Sequence, residues 1–555
     1  MQEYAIGLDY GTNSCRSVLM EINSSDELFS EIYNYPSGSQ GVLISDADPN
    51  IARQSPADYL NGMEHIIKSV INQAKESIAD FSPAQIIGLT CATTGSTVIP
   101  VDAQLTALGL KDSSNLDAQT WLWKDHSSYK EAELITQKAK ELRPQYLERC
   151  GGTYSSEWFW SKILHLKNVA PETFEKAYSF IELCDYLPAI LAGKEKPEEI
   201  KASICAAGHK AMYADQWGGL PDEEFLAAVD PALVKVRQKL YKKAHASDQL
   251  AGRVGAEWAQ RTGLAEGTAI AVGAFDAHMG AVGSGIKDGS LVKIVGTSTC
   301  DLMISPKDQS IAGVCGVAKD SVLPGYMGIE AGQSAVGDLF LWLVNNFVTS
   351  EYGSNRDEIF ANITKRAAAL NVGQSGLLSL DWNNGNRTVL IDSQLSGLLI
   401  GQTLHTKAHE IYRSLIEATG FGALKIIERL EDSGVEVKEV VCCGGLAQKN
   451  ELMMQIYANI FNRPVRIAGT EQTCAVGAAI FAASAAGKDL NELQKSMLKP
   501  CRKEYLPQKD DVRIYSKLYG LYSQVHDGFG VEGNPCDFYS LMKELIDIQK
   551  ASKNA

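Results

Sequence analysis

The sequence predicts an α/β fold divided into two domains, and three observations carry that expectation. At 555 residues the chain exceeds what one hydrophobic core supports, because single cores stop growing near ~250–300 residues. Helix-period segments alternate with short β-branched runs, the order that builds sheets covered by helices. A Gly-Thr turn flanked by apolar runs occurs twice, at the start of the chain and near its middle.

In chain order, Ala5-Ile-Gly-Leu-Asp9 reads as a strand, Gly11-Thr-Asn-Ser-Cys15 as a turn and Ser17-Val-Leu-Met20 as a second strand. After Ser55-Pro56, an N-cap and first-turn proline, Tyr59, Met63, Ile66, Ile67, Val70 and Ile71 recur at helical spacing. Gln85-Ile-Ile-Gly-Leu-Thr90 and Ala269-Ile-Ala-Val272 are short strand-like runs. The hairpin pattern then returns as Leu291-Val-Lys-Ile-Val295, Gly296-Thr-Ser-Thr-Cys300 and Asp301-Leu-Met-Ile304. With no Pro/Gly/Ser-rich linker to mark a boundary, this echo divides the chain into residues 1–285 and 286–555. Two such hairpins facing each other would hold phosphates across a cleft, since glycine admits close backbone approach and Thr/Ser hydroxyls add donors.

Farther on, Lys407 to Leu430 reads as a helix and Glu439-Val-Val-Cys-Cys443 as a strand, followed by Gly444-Gly445 and a helix beginning near Asn450-Glu451. Ligands of open α/β sheets gather at strand carboxyl ends beside helix N-termini, so the double glycine can admit a flat base or a phosphate. A plain tight turn is the ordinary meaning of such a pair. The segment Thr473 to Gly487, rich in small side chains, reads as a helix packed closely against its neighbours.

Composition narrows the function. Lys plus Arg number 52 against 67 Asp plus Glu, a net charge of −15 that repels a nucleic-acid backbone or an anionic membrane. A phosphate ligand stays open, because backbone N–H groups and magnesium can bind it. The start lacks a basic, apolar leader pattern and no run of ~18 apolar residues occurs, so a cytoplasmic protein without a membrane span is expected. Twelve cysteines without CxxC pairs or zinc spacing read as reduced, mostly buried thiols.

Phosphoryl transfer to an alcohol needs a magnesium-bound nucleotide, donors around the phosphates and a carboxylate able to take the hydroxyl proton. Asp276, in Val272-Gly-Ala-Phe-Asp-Ala-His-Met-Gly280 directly after a strand, is the best carboxylate. An isolated Asp there ordinarily caps the next helix. Asp9, at a strand end beside Gly11, suits magnesium or its waters, or a brace for the turn. His278 is a weaker candidate that reads as structural.

With those residues in place the sequence resembles the FGGY family of carbohydrate kinases, and within it the bacterial L-ribulokinase branch. The kinase machinery is matched by Gly7-Leu-Asp-Tyr-Gly-Thr-Asn-Ser14, Gly273-Ala-Phe-Asp-Ala-His-Met-Gly280, Gly296-Thr-Ser-Thr-Cys-Asp301 and Gly444-Gly-Leu-Ala-Gln-Lys-Asn450. The sugar side is matched by Tyr154-Ser-Ser-Glu-Trp-Phe-Trp160, Ala207-Gly-His-Lys210, Trp217-Gly-Gly-Leu-Pro221 and Glu330-Ala-Gly-Gln-Ser334.

The resemblance implies two actin/hexokinase-like (ribonuclease H-like) domains around a catalytic cleft, ATP and Mg2+ as cosubstrate and metal, and a small sugar as acceptor. It implies Asp276 as base, Asp9 for magnesium, and Gly11, Thr12, Asn13 and Ser14 facing Gly296 and Thr297 across the phosphates. Gly444, Gly445 and Asn450 would border adenosine. Lys210 and Glu330, surface charges by residue type alone, become sugar contacts with Ala92, Thr93 and Thr94. Related kinases often carry Asp where this chain has Ala92, which removes one hydroxyl acceptor and widens the range of pentuloses. The implied reaction is L-ribulose to L-ribulose 5-phosphate, a step of arabinose breakdown, with sugar bound in the first domain; a homodimer is compatible with it. Rivals are another acceptor, such as D-ribulose, ribitol, xylulose or glycerol, or a non-catalytic actin-like ATPase or sugar sensor.

Overall fold

The computed structural model describes residues 2–535, 538 and 541–553. Two mixed sheets organise it. The strands of the first are β1 (Tyr4–Tyr10), β2 (Ser14–Glu21), β3 (Glu27–Asn34), β4 (Ile86–Thr93), β5 (Leu250–Arg253), β6 (Ala269–Ala271) and β7 (Ala274–Phe275). Those of the second are β8 (Ser290–Val295), β9 (Thr299–Ser305), β10 (Gly316–Lys319), β11 (Met327–Ala331), β12 (Glu439–Cys443), β13 (Val465–Ile467) and β14 (Lys503–Tyr505). The first sheet runs β5-β6-β4-β1-β2-β3 with β7 paired to β4; the second runs β14-β13-β12-β8-β9-β11-β10.

The two paths are one plan used twice. In each, a Gly-Thr turn joins an antiparallel hairpin, β1/β2 or β8/β9, whose first strand pairs in parallel with β4 or β12. A further parallel strand and an antiparallel edge strand follow in both. The resemblance of the turns therefore reflects equivalent places in equivalent sheets. The long excursions differ: residues 94–249 leave after the fourth strand of the first sheet, whereas residues 332–438 leave before the corresponding strand of the second.

Six helices fix the layers: α1 (Pro56–Ser77), α2 (Ile204–Lys210), α3 (Asp276–Gly283), α4 (Ala408–Asp432), α5 (Glu451–Phe461) and α6 (Thr473–Ala485). Strand alternation sends Tyr4, Ile6, Leu8 and Tyr10 of β1 into a core with the apolar stripe of α1. Ala5 faces the other way, toward α3 and α6, which also pack against Val292, Leu302 and Val441 of the second sheet. Leu291, Met303 and Val440 turn outward to α4 and α5. The order of layers is thus α1, first sheet, α3 with α6, second sheet, α4 with α5.

The middle layer is thin because its residues are small. A Cβ on Gly7 would stand 1.7 Å from the Ala475 carbonyl oxygen, one on Gly88 2.3 Å from that of Ala482, and one on Gly477 1.9 Å from that of Met279. The expected element bounds agree with the structure within a few residues, with one difference: a five-residue helix, Gly445–Lys449, precedes α5. The eleven described cysteines are free thiols, and Cys536 lies outside the described residues. No helix among the described residues is long and apolar enough to cross a membrane.

Overpacking a tight core costs ~1–3 kcal/mol and more when backbone must move, so Gly7→Ala should lower the urea midpoint clearly. Gly520→Ala, in a helix where a Cβ meets nothing within 4 Å, should raise it, since helical Gly costs up to ~1 kcal/mol relative to Ala. Equal midpoints for the two variants would contradict the layer geometry.

Candidate active site

Each Gly-Thr turn closes on itself, the Gly11 N–H donating to the Ser14 carbonyl and the Gly296 N–H to that of Ser298, both at 3.0 Å. The first turn is braced from the side: Trp123 Nε1 donates to Thr12 Oγ1 at 3.1 Å, Gln54 Nε2 to the Thr12 carbonyl at 2.6 Å, and Asn13 Nδ2 to the Gln40 carbonyl at 2.7 Å. The second is braced from below. Lys293 Nζ, between β8 and β9, donates to Asp301 at 2.8 Å and to Gln333 Oε1 at 2.9 Å, all out of solvent. Gly296 and Thr297 are left exposed, and their carbonyls accept from the N–H groups of Gly337 (3.1 Å) and Val336 (2.7 Å) at the start of helix Gly337–Phe347.

At the end of β12, Gly444 has φ +91°, and a Cβ there would lie 2.5 Å from the Val295 carbonyl oxygen. That position requires glycine. Gly445 faces open space. Both ends of the buried Asn450 amide are used within the fold: Oδ1 caps α5 at the Met453 N–H (3.1 Å) and Nδ2 donates to Tyr412 Oη (3.0 Å). Its side chain positions α5.

Asp276 is the first residue of α3, and its Oδ1 accepts from the Ala277 N–H at 2.7 Å. Burial, then the nearby charge of Asp9, pushes its carboxyl up to about 7. Asp9 itself is raised by burial and opposed by Arg16, whose Nε stands 3.4 Å away. No hydrogen bond reaches the Asp9 carboxylate among the described residues, so its lone pairs fit a divalent cation.

Asp9 lies in register with Ala92 on β4, and Ala92 with Ala274 on β7, which brings the ends of these strands to one place. Ala92, Thr93 and Thr94 are buried. The Thr93 hydroxyl donates to the Thr94 carbonyl at 3.2 Å, and the Thr94 and Thr97 hydroxyls share a bond of 2.9 Å. Beneath them, Lys162 Nζ donates to the carbonyls of Ser96 (2.7 Å) and Leu122 (2.8 Å), and Ser96 Oγ donates to Glu182. Sequence reading missed this support, whose residues sit far apart in the chain.

Lys210, at the C-terminal end of α2, meets Glu330 on β11, with Nζ at 2.9 and 3.1 Å from the two carboxylate oxygens. The pair joins the two halves of the chain, so the sugar-side residues named from the sequence do not belong to the first half alone. Burial opposes both charges, yet Lys210 is held above its usual range by Glu330, and Glu330 is held down to about 2 by Lys210 and two histidines. His209 Nδ1 and His278 Nε2 lie 3.6 and 3.9 Å from Glu330, and burial pushes both imidazoles down. These three side chains have metal-ligand spacing, but the Lys210 ammonium already neutralises the carboxylate.

A cavity of about 1210 Å³ opens here, lined by Lys210, Glu330, Thr297, Ser298, Trp123, Tyr154, Glu157, Trp158, Asn386 and Arg387. Its volume suits a small acceptor with room for a second ligand. Asp276 is not in its lining; its carboxyl nonetheless feels Glu330 and Lys210. Glu157 stood inside a sequence motif without a role, and Arg387 gave no sequence signal, since a lone Arg in a polar stretch reads as surface.

A duplicated sheet with paired Gly-Thr turns, a buried carboxylate and a polar cavity defines a phosphotransferase of the actin/hexokinase-like kind. The chain belongs to the FGGY family of carbohydrate kinases: residues 4–283 match the model of its N-terminal domain and residues 291–486 that of its C-terminal domain. It is a sugar kinase. It is 39% identical to a ribulokinase of Shouchella clausii, covering 100% of this chain and 99% of the relative, and 35% identical to a ribulokinase of Vibrio parahaemolyticus, covering 94% and 95%. Among solved structures it is similar to xylulose kinase from Rhodospirillum rubrum (TM-score 0.77, 20% identity, 95% of this chain and 99% of that one). It is also similar in fold to Plasmodium falciparum glycerol kinase with ADP (TM-score 0.75, 16% identity, 94% and 98%).

Because the folded carboxyl of Asp276 titrates near 7 and an unfolded Asp near ~3.9, the unfolded state ionises first as pH rises. Stability is therefore lost between those values and stays lower above them. Asp276→Asn, which cannot ionise, should melt higher than wild type at pH 8 and lose that advantage toward pH 4. Parallel melting-temperature profiles over that range would show that Asp276 is not raised.

Proposed function

We propose that the chain is an ATP-dependent pentulose kinase whose preferred reaction converts L-ribulose to L-ribulose 5-phosphate. The observation that carries this reading is the Lys210–Glu330 pair, which puts a donor and an acceptor in the same cavity as Thr297 of the second Gly-Thr turn. Relatives named ribulokinase match over nearly the whole chain, and they support the same acceptor. Residues 1–285 and 286–555 are the two working halves, and the enzyme acts in the cytoplasm as a step of arabinose breakdown.

In this reading Lys210 and Glu330 orient the sugar, with Thr94 and the β4 end beside them. Asp276, poised near neutral pH by burial, accepts the proton of the C5 hydroxyl as that oxygen attacks the γ-phosphorus in line. Gly11, Thr12, Asn13 and Ser14 meet the phosphates from one side, Gly296 and Thr297 from the other. Gly444 and Gly445 leave room for adenosine. Magnesium bound with ATP would offset charge on the transferring group, and Asp9 is the residue to hold it or its waters. Closure of the halves excludes water as a competing acceptor.

The test is kcat/KM over L-ribulose, D-ribulose, D-xylulose, ribitol, gluconate and glycerol. L-Ribulose should lead, D-ribulose and ribitol should show turnover because Ala92 replaces an acidic residue, and glycerol should trail by up to ~10⁴-fold, the penalty for leaving buried polar groups unpaired. Asp276→Asn should lower kcat by ~10²–10⁴-fold. Lys210→Met should raise the sugar KM and leave that for ATP unchanged. A higher kcat/KM for xylulose, gluconate or glycerol would overturn the acceptor assignment while leaving the sugar kinase in place.

A further inference from the structure

The Lys210–Glu330 pair has a neighbour of the same design. Glu157 and Arg387 line the same cavity, and the Arg387 guanidinium stands 3.7 Å from Glu157 Oε1. Each pair takes one partner from either half of the chain, but with opposite polarity. The first half contributes a base to the inner pair and an acid to the outer, and the second half the reverse.

The four side chains are mounted as a unit. Tyr154, three residues before Glu157, donates from its hydroxyl to the Lys210 carbonyl at 2.6 Å, and the Trp158 ring lies 5.2 Å from Lys210 Nζ. Thr388, directly after Arg387, accepts at Oγ1 from the Gly332 N–H at 2.9 Å, two residues beyond Glu330. The Asn386–Asp392 hairpin, closed by reciprocal backbone bonds of 2.8 and 2.9 Å, holds Arg387 at its base. Each outer residue is thus tied to the inner residue of its own half.

The two pairs differ in closure. The inner pair is hydrogen-bonded, whereas 3.7 Å is too long for a good bond in the outer. His126 Nδ1 stands 3.8 Å from Glu157, also too far. Among the described residues no hydrogen bond is made by the Glu157 carboxylate or the Arg387 guanidinium, and their side chains are 23% and 32% exposed. An acceptor and a set of donors therefore face the cavity unfilled. With two positive and two negative charges this group of four is neutral, which suits an uncharged polyol or ketose better than a sugar acid, whose carboxylate would meet Glu157 and Glu330.

We propose that Glu157 and Arg387 are a second pair of sugar-positioning residues, which hydrogen-bond the part of an uncharged acceptor remote from the reacting hydroxyl and make its binding depend on both halves of the chain. The assignment rests on the sugar kinase reading and adds residues to it. Arg387 is held above its usual range against the pull of burial chiefly by Glu157, with Glu330 contributing, in keeping with a single four-charge group.

The test compares wild type with Glu157→Gln, Arg387→Gln and the double variant, using L-ribulose. Sugar affinity is read both as KM and by quenching of intrinsic tryptophan fluorescence without ATP. Each single variant should raise the sugar KM by roughly 10–100-fold, the scale of a lost hydrogen bond to a charged group, and leave the ATP KM unchanged. The double variant, which leaves no orphaned charge, should keep the wild-type melting temperature and bind sugar less weakly than the product of the single effects. Glu157→Gln should also raise the ratio of gluconate to L-ribulose turnover. If wild type uses L-ribulose and both singles keep its KM and its fluorescence titration, these two residues are only a tie between the halves and the kinase reading stands. If wild type uses no uncharged pentulose, both readings fall.

Discussion

The structure depends on how closely α6 can approach the strands and helix on either side of it. Helix α6 is buried nearly all round, an arrangement available to a sequence such as Thr473-Cys-Ala-Val-Gly-Ala-Ala-Ile-Phe-Ala-Ala because almost no side chain needs a deep receiving pocket. Backbone meets backbone at Gly7, Gly88, Gly283 and Gly477, and the energy comes from dense van der Waals contact. This thin layer sets the separation of the two sheets. It holds α3, and so Asp276, at a fixed height between the hairpins, and keeps the turns at Gly11 and Gly296 on one side of the molecule.

Within that frame the site separates its charges by task. Lys210 and Glu330 hold each other ionised despite burial, and Lys293 and Asp301 are hydrogen-bonded to each other beneath the second turn. His209 and His278 stay neutral. Asp276 is the exception: a carboxyl with one local backbone donor, surrounded by apolar atoms and a like charge. An environment that disfavours its ionised form makes it a competent proton acceptor near neutrality. The cost in stability falls on Asp276 and on Asp9, both raised by burial.

Much of this was legible in the sequence, where local rules suffice. The apolar stripe from Tyr59 to Ile71, the strand before Gly444 and the two Gly-Thr turns follow from periodicity and turn chemistry, and the structure puts them where those rules do. Asp276 was legible by its place after a strand. The sequence could not disclose that Lys210 and Glu330 are bound to each other across 120 residues of chain, nor that Arg387 reaches the same cavity, because long-range pairing leaves no periodic trace. Asn450 shows the opposite limit. Its position at a strand–helix junction suits a ligand contact and a helix cap equally well, and what the sequence could not disclose is that its amide caps α5 at Met453 and bonds Tyr412.

The unequal excursions from two equal sheets carry an evolutionary consequence. The two Gly-Thr turns lie on the repeated scaffold, at hairpins whose geometry the sheets enforce twice. Glu157 and Lys210 lie instead in the excursion of residues 94–249, and Arg387 in that of residues 332–438, segments longer than the connections at the same points of the other sheet, residues 444–464 and 35–85. Such an arrangement uncouples inheritance of the chemistry from inheritance of the acceptor. Substitutions in either excursion can reshape the cavity that Glu157, Lys210 and Arg387 line without touching the hairpins of the repeated frame.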